Sequence, residues 1–358
     1  MDHERDSRRS SRRSRPPDGR ASDGYSPAPI TRRQLVGRAA VAGSVLAGGA
    51  WLSFAPEHLP GSRRDGTGLR GLPVPEPFTL PDFSVARPMG AGEVGLGRGA
   101  TVGERLAGAL DAVGGLRRLI APGDVVLVKP NVAFDRSPNL GATTDPGLLE
   151  LLIRMLLVDA RAAEVRVADN PIESPADCFA KSGIAEAADR AGGRVYLPDS
   201  NAFEDLRTPG ATLIEQWPFF KRPFRRVNKV IGVAAVKDHN LCHASLGIKN
   251  WYGLLGGRRN QFHQDIHEIV SDLSIMIRPT LTILDGSRIL MANGPTGGDP
   301  ANVKAGDVIL AATDAVAMDA WAYEHLLERR GELPRYLQLA ERKGSGRVDY
   351  RGRVKSIG

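Results

Sequence analysis

Val230–Asn240 reads VIGVAAVKDHN: seven uncharged, mostly apolar residues, then Lys237, Asp238, His239 and Asn240 with no transition between them. A short, continuous apolar run of this kind belongs to a strand buried on both faces, as in a parallel sheet covered by helices. The pattern recurs along the chain. DVVLVKPN (124–131), EVRVADNP (164–171), RVYLPD (194–199), TLTILDGSRIL (280–290) and DVILAATD (307–314) read as further strands. Helical stretches alternate with them: ERLAGALDAVGGLRRLI (104–120), GLLELLIRMLLVDA (147–160), PADCFAKSGIAEAADRAGG (175–193), QDIHEIVSDLSIMIRP (264–279) and AVAMDAWAYEHLL (315–327). This alternation predicts an α/β fold over residues 101–350, a mostly parallel sheet flanked by helices in Rossmann-like layers.

The strand ends carry the chemistry. The apolar runs stop at Lys129 and Asn131, Asp169, Lys237 and His239, Asp285, and Asp314. Ligands of open α/β sheets bind beyond the carboxyl ends of the strands, so these residues predict a polar site along one edge. The glycine-rich segment Ser245–Arg259 adds Lys249, Asn250, Arg258 and Arg259. Backbone N–H groups exposed by glycine, together with cations, suit a phosphate or carboxylate. The spacing is neither a P-loop nor GxGxxG, and a glycine-rich loop with solvated cations is the alternative. Lys237, His239, Lys249 and Asp285 are the candidate catalytic groups. Lys129, Asn131, Asp169, Asn250, Arg258 and Arg259 are the candidate ligand contacts.

Four of the seven histidines, His239, His243, His263 and His267, fall in two HxxxH pairs. On a helix this spacing puts both rings on one face. His263 and His267 would then bind a divalent transition metal, or act as acid and base. The pair lacks the glutamate of HExxH, and solvent-facing rings are the alternative. Asp314 reads as a helix cap. Cys242, beside His239 and His243, reads as a buried thiol in preference to a nucleophile.

The 358-residue chain carries a formal charge of +7. Residues 1–38 hold ten arginines against five acids, and residues 39–55 are uncharged, which leaves the rest near neutrality at +2. Charge therefore gives no reason to expect a nucleic-acid partner. Residues 1–30 read as a disordered basic stretch. Residues 31–55, with Arg32–Arg33 ahead of a weakly apolar run, read as a twin-arginine (Tat) export signal. The expected partner during export is the Tat translocon, and the expected location is periplasmic or otherwise extracytoplasmic. Pro56 is unfavourable for cleavage after Ala55, so residues 39–55 would persist as a membrane anchor if cleavage fails. Residues 56–100 are rich in glycine and proline and read as linker and irregular lead-in. Two cysteines, Cys178 and Cys242, cannot ligate an iron–sulfur cluster, and they are far enough apart in sequence to be either one disulfide or two unrelated thiols.

VLVKPN, TTDP, VRVADNP, VKDHNLCHASLGIKNWYGLLGGRRNQFH, LDGSRILMANGPTGG and ATDAVAMDA together resemble the DUF362 family, over roughly residues 120–345. The resemblance carries over Lys129, Asn131, Asp169, Lys237, His239, Lys249, Asn250, Asp285 and Asp314 as site positions. It implies no reaction, substrate or cofactor. Many members add a ferredoxin-like segment, which this chain lacks. Two functions stay open at this point. One is an exported enzyme acting on a small anionic substrate with Lys, His and Asp. The other is a non-catalytic extracytoplasmic binding protein for a small anion or a metal.

Overall fold

The computed structural model describes residues 76–357. The stretches 1–30 and 31–55, with the export signal, lie outside the described residues, as do residues 56–75 of the lead-in.

Twelve strands are described: β1 Val94–Arg98, β2 Val125–Lys129, β3 Glu164–Ala168, β4 Arg194–Tyr196, β5 Phe203–Arg207, β6 Gln216–Phe220, β7 Lys229–His239, β8 His243–Ser245, β9 Leu281–Leu290, β10 Val303–Ala305, β11 Val308–Ala312 and β12 Val354–Ile357. Ten form one mixed, mostly parallel sheet in the order β12-β1-β11-β9-β7-β2-β3-β4, with β8 beside β7 and β10 beside β9. β9, β7, β2, β3 and β4 run parallel. β11 is antiparallel to both of its neighbours. β5 and β6 form a separate hairpin.

Successive residues of a strand point to opposite faces, and here both faces are covered. Val126 and Val128 of β2 pack with Val165, Val167, Ile231 and Val233 under Leu106, Leu110, Leu148, Leu149 and Leu152 of the helices Val102–Ala112 and Pro146–Arg154. Leu127 and Val230 face the other way, toward Ile269, Val270 and Leu273 of the helix Ile266–Met276 and Tyr336 of Arg335–Arg342. The unbroken apolar runs are therefore two cores read off one strand. The helix starts are encoded locally. Thr101 and Glu104 form a capping box, and Asp145, followed by Pro146, accepts from Leu148 N (3.0 Å).

Two expectations need correction. The domain begins before residue 101. Phe83 is buried, and VGLGR (94–98) is strand β1 between β11 and β12. Its glycines mimic a linker, but a Cβ on Gly97 would lie 1.8 Å from Arg105 O. Glycine there lets the helix Val102–Ala112 press onto the strand. The fold also runs past residue 350, to β12.

The strand ends do not all gather on one edge. β11 runs opposite to β9, so Asp314 lies at the other edge of the sheet from the ends of β2, β3 and β7. Strand direction depends on how the chain returns to the sheet, and an apolar run carries no mark of it.

Candidate functional site

Three parallel strands deliver their carboxyl ends to one cavity of about 300 Å³. β2 brings Lys129 and Asn131, β3 brings Asp169 and Asn170, and β7 brings Lys237 and His239. The chain then doubles back through β8 into the short helix Gly247–Asn250 and a 3-10 turn, which add Ser245, Lys249, Asn250, Tyr252 and Gly253. Phe134, Ile172, Leu241, Pro295 and Thr296 complete an apolar wall and rim.

A hydrogen-bond relay orders the floor. Lys129 Nζ pairs with Asp169 Oδ1 (2.8 Å) and donates to Asn250 Oδ1 (2.7 Å). Asn250 Oδ1 also accepts from Asn131 Nδ2 (3.1 Å), while Asn250 Nδ2 donates to the carbonyls of Lys129 and Val233. That orientation turns Asn131 Oδ1 toward Lys237, whose Nζ donates to it (3.0 Å) and to Ala142 O (2.9 Å). Thr144 ties the relay together by accepting from Asn131 N and donating to Val233 O, both at 2.8 Å. Asp169 Oδ2 accepts from Val132 N (2.7 Å).

Gly253 covers the ion pair. A Cβ there would stand 1.9 Å from Asp169 Oδ1 and 2.8 Å from Lys129 Nζ, so only glycine lets the turn close over it. The β5–β6 hairpin supports this turn from outside, with Gly256 N donating to Pro218 O (2.7 Å) and Trp217 Nε1 donating to Gly256 O (3.0 Å).

The charges do not balance. Four cationic side chains, Lys129, Lys237, Lys249 and Arg259, line the cavity against one carboxylate, Asp169. Lys237 has only neutral oxygen acceptors. Lys249 lies 5.3 Å from the Tyr252 ring centroid and has no carboxylate partner among the described residues. Burial, reinforced by Lys249 and Lys129, pushes the Lys237 ammonium down to about 7. Burial also lowers Lys129 and Lys249. His239 is held neutral, pushed down to about 2 by burial and then by Lys249. Its Nδ1 accepts from Leu241 N (3.1 Å), which places the ring proton on Nε2.

The match to the family described as a domain of unknown function (DUF362) spans residues 126–324, more than half of the chain. The chain belongs to the DUF362 family. A thylakoid-associated protein of Synechocystis sp. is 26% identical over 227 residues, which is 59% of this chain and 65% of that protein, just under two-thirds of its length. Two solved structures are loosely similar. The lactate racemase apoprotein from Thermoanaerobacterium thermosaccharolyticum gives a TM-score of 0.33 at 15% identity, over 59% of this chain and 55% of that one. A protein from Thermotoga maritima gives 0.36 at 13%, over 68% and 60%. Likenesses this loose carry no argument about chemistry.

Within this DUF362 fold the remaining candidate residues disperse. Asp285 sits inside β9 and is absent from the cavity wall. It accepts from Asp145 N (2.9 Å) and Ser287 N (3.1 Å), which fixes the start of the helix Pro146–Arg154. Arg258 is exposed and off the wall. Arg259 lines the cavity, but its guanidinium donates to the carbonyls of Tyr252, Leu255, Asn170 and Pro171, clamping two loops together.

The helix begins at Ile266, so His263 and His267 do not share a helical face. His263 reaches the cavity beside Tyr252, whereas His267 lies by His243 and Tyr336. Among the described residues no three His, Cys, Asp or Glu side chains converge as a metal-ligand set. Cys178 and Cys242 are buried free thiols, and Cys242 Sγ donates to Ala244 O (3.2 Å). Asp319, pushed up to about 7 by burial, accepts from Gly247 N (2.9 Å) and Ile248 N (3.0 Å), capping the helix that carries Lys249.

Phe134 and Tyr252 on the wall, and Thr144 beneath it, carry no local sequence mark of the site. The strand that Thr144 bridges to is 89 residues away, so nothing local to TTDP announces this role.

Proposed function

We propose that the cavity binds a small organic anion and carries out proton transfer on it. Lys249 holds the anionic group and Lys237 is the acid–base residue. One observation carries this reading: two buried lysines face a cavity with no carboxylate to neutralise them. Burying an unpaired ion costs several kcal/mol, and a bound anion offsets that cost. The volume is at the small end of ligand pockets, which run from roughly 300 to 1,000 Å³. Lys237 titrates near neutrality, where an acid–base group works best. The histidine ring next to it, kept neutral, serves as a fixed N–H donor.

The test is calorimetric titration of the full chain with phosphate, acetate, benzoate and pyruvate, against Lys249→Ala. Wild type should bind at least one of them at 1:1, and the variant should bind it at least tenfold more weakly. Equal affinities in the two proteins would refute the reading.

The twin-arginine reading places this activity outside the cytoplasm. Its support is Arg32–Arg33 ahead of an uncharged run, and the thylakoid association of the Synechocystis relative agrees with it. Replacing both arginines with lysine should trap the protein in the cytoplasm of a Tat-competent host. Unchanged fractionation would refute export by this route.

A further inference from the structure

We propose that Lys237 is a covalent nucleophile, whose amine condenses with the carbonyl of a short oxo acid while Lys249 holds that acid's carboxylate. The inference rests on the anion-binding reading and names the substrate class for the same site.

The argument begins with the geometry around Lys237 Nζ. Its two hydrogen-bond partners, Asn131 Oδ1 and Ala142 O, are both neutral acceptors. The first is locked as an acceptor because Asn131 Nδ2 is committed to Asn250 Oδ1, which is itself fixed by the Lys129 ammonium. A neutral amine has two N–H donors and one lone pair. With both donors taken by the wall, the lone pair is left for the cavity that Lys237 lines. The other lysines are not arranged this way. Lys129 is held as an ammonium by Asp169 at 2.8 Å. Lys249 has no carboxylate partner among the described residues and is free to meet an anion.

The surroundings favour the free amine. Lys237 is 1% exposed, its ammonium is lowered to about 7, and two further cations lie nearby. Desolvation beside another cation is how a lysine becomes an imine-forming nucleophile. The cavity also separates two functions that an oxo acid requires. Lys249 supplies positive charge for the carboxylate, and Lys237 supplies an uncharged nitrogen for the carbonyl carbon.

The step balances without a further reactant. The lone pair forms the N–C bond, and the carbonyl oxygen departs as water with the two hydrogens of the amine. The resulting imine takes one proton from solvent to become an iminium, and Lys249 keeps its charge on the carboxylate. The single N–H of the iminium keeps one of the two original acceptors. The iminium then draws electrons from the adjacent carbon, which makes a proton on that carbon removable.

The experiment is reductive trapping. Full-chain protein at pH 7 to 8 is incubated with pyruvate and sodium cyanoborohydride, and the products are followed by intact mass and peptide mapping. Calorimetric titration with pyruvate alone is run in parallel. The expected result is one carboxyethyl adduct per chain, mapped to Lys237, absent in Lys237→Met and at least tenfold slower in Lys249→Ala. Pyruvate binding that is lost in Lys249→Ala, with no adduct at Lys237, would overturn the covalent role and leave the anion site standing. An adduct mapped to Lys129 or Lys249 would overturn the assignment of the nucleophile. Failure of phosphate, acetate, benzoate and pyruvate alike to bind would remove the anion-binding reading, and this inference with it.

Discussion

At the carboxyl edge of β2, β3 and β7, four basic side chains line an open cavity whose one carboxylate, Asp169, pairs with Lys129 alone. At the opposite edge, beyond β11, Asp314 is also buried, but its oxygens are fully engaged. They accept from Val316 N and Ala317 N at 3.0 Å, from Arg347 N at 3.1 Å and from Arg353 at 2.6 Å. Both regions bury ionised groups at strand ends, and only one leaves them uncompensated. Compensation is the cheaper state for a fold. The excess charge around the cavity therefore marks a place kept for something other than stability, whereas the same chemistry at Asp314 is architecture.

Substitution of each acid should separate the two regions. Asp169→Ala strands Lys129 in the protein interior and should cost about 3–5 kcal/mol, the penalty for breaking a buried ion pair. Denaturant unfolding measures it, and a loss below 1 kcal/mol would mean that Lys129 sheds its charge at no cost. Asp314→Ala should cost less, about 1–2 kcal/mol for a lost helix cap, since Arg353 also pairs with Glu93. Anion titration of that variant should match wild type. A weakened titration would tie the two edges together and break the contrast.

The effect at Lys237 shows as a slope against pH. Its pKa is depressed to about 7 in the folded protein, from an ordinary lysine value of 10.5. Between those values the unfolded chain holds a proton that the folded protein lacks. Stability therefore rises with pH through that window and is flat with respect to this group below about 7. Lys237→Met should remove up to about 1.4 kcal/mol per pH unit of that slope. Losing the bonds to Asn131 and Ala142 adds only a constant offset. Superimposable pH profiles for wild type and variant would show that the lysine is not depressed.

Much of the site was legible because it rests on local grammar. An apolar run ending in a charged residue puts that residue at a strand end, and parallel neighbours bring such ends together. Lys129, Asp169, Lys237 and His239 meet for that reason. The expectation for Asp314 as part of one shared edge failed on strand direction. The expectation for His263 and His267 as a pair failed on a helix that starts at Ile266, three residues after the first ring. The lead-in up to residue 100 looked like linker because glycine serves equally in loops and where a helix presses on a strand, as at Gly97.

By itself the sequence determined the α/β class, the strands buried on both faces and the residues that close them, since hydrophobic periodicity and capping act within a few residues. Only the tertiary structure decided which strand ends face each other, which cations find a carboxylate and which do not. Those pairings join residues far apart along the chain, from Lys129 to Asn250 and from Gly247 to Asp319. Electrostatic balance in a buried site is a property of the assembled neighbourhood, and no single segment carries it.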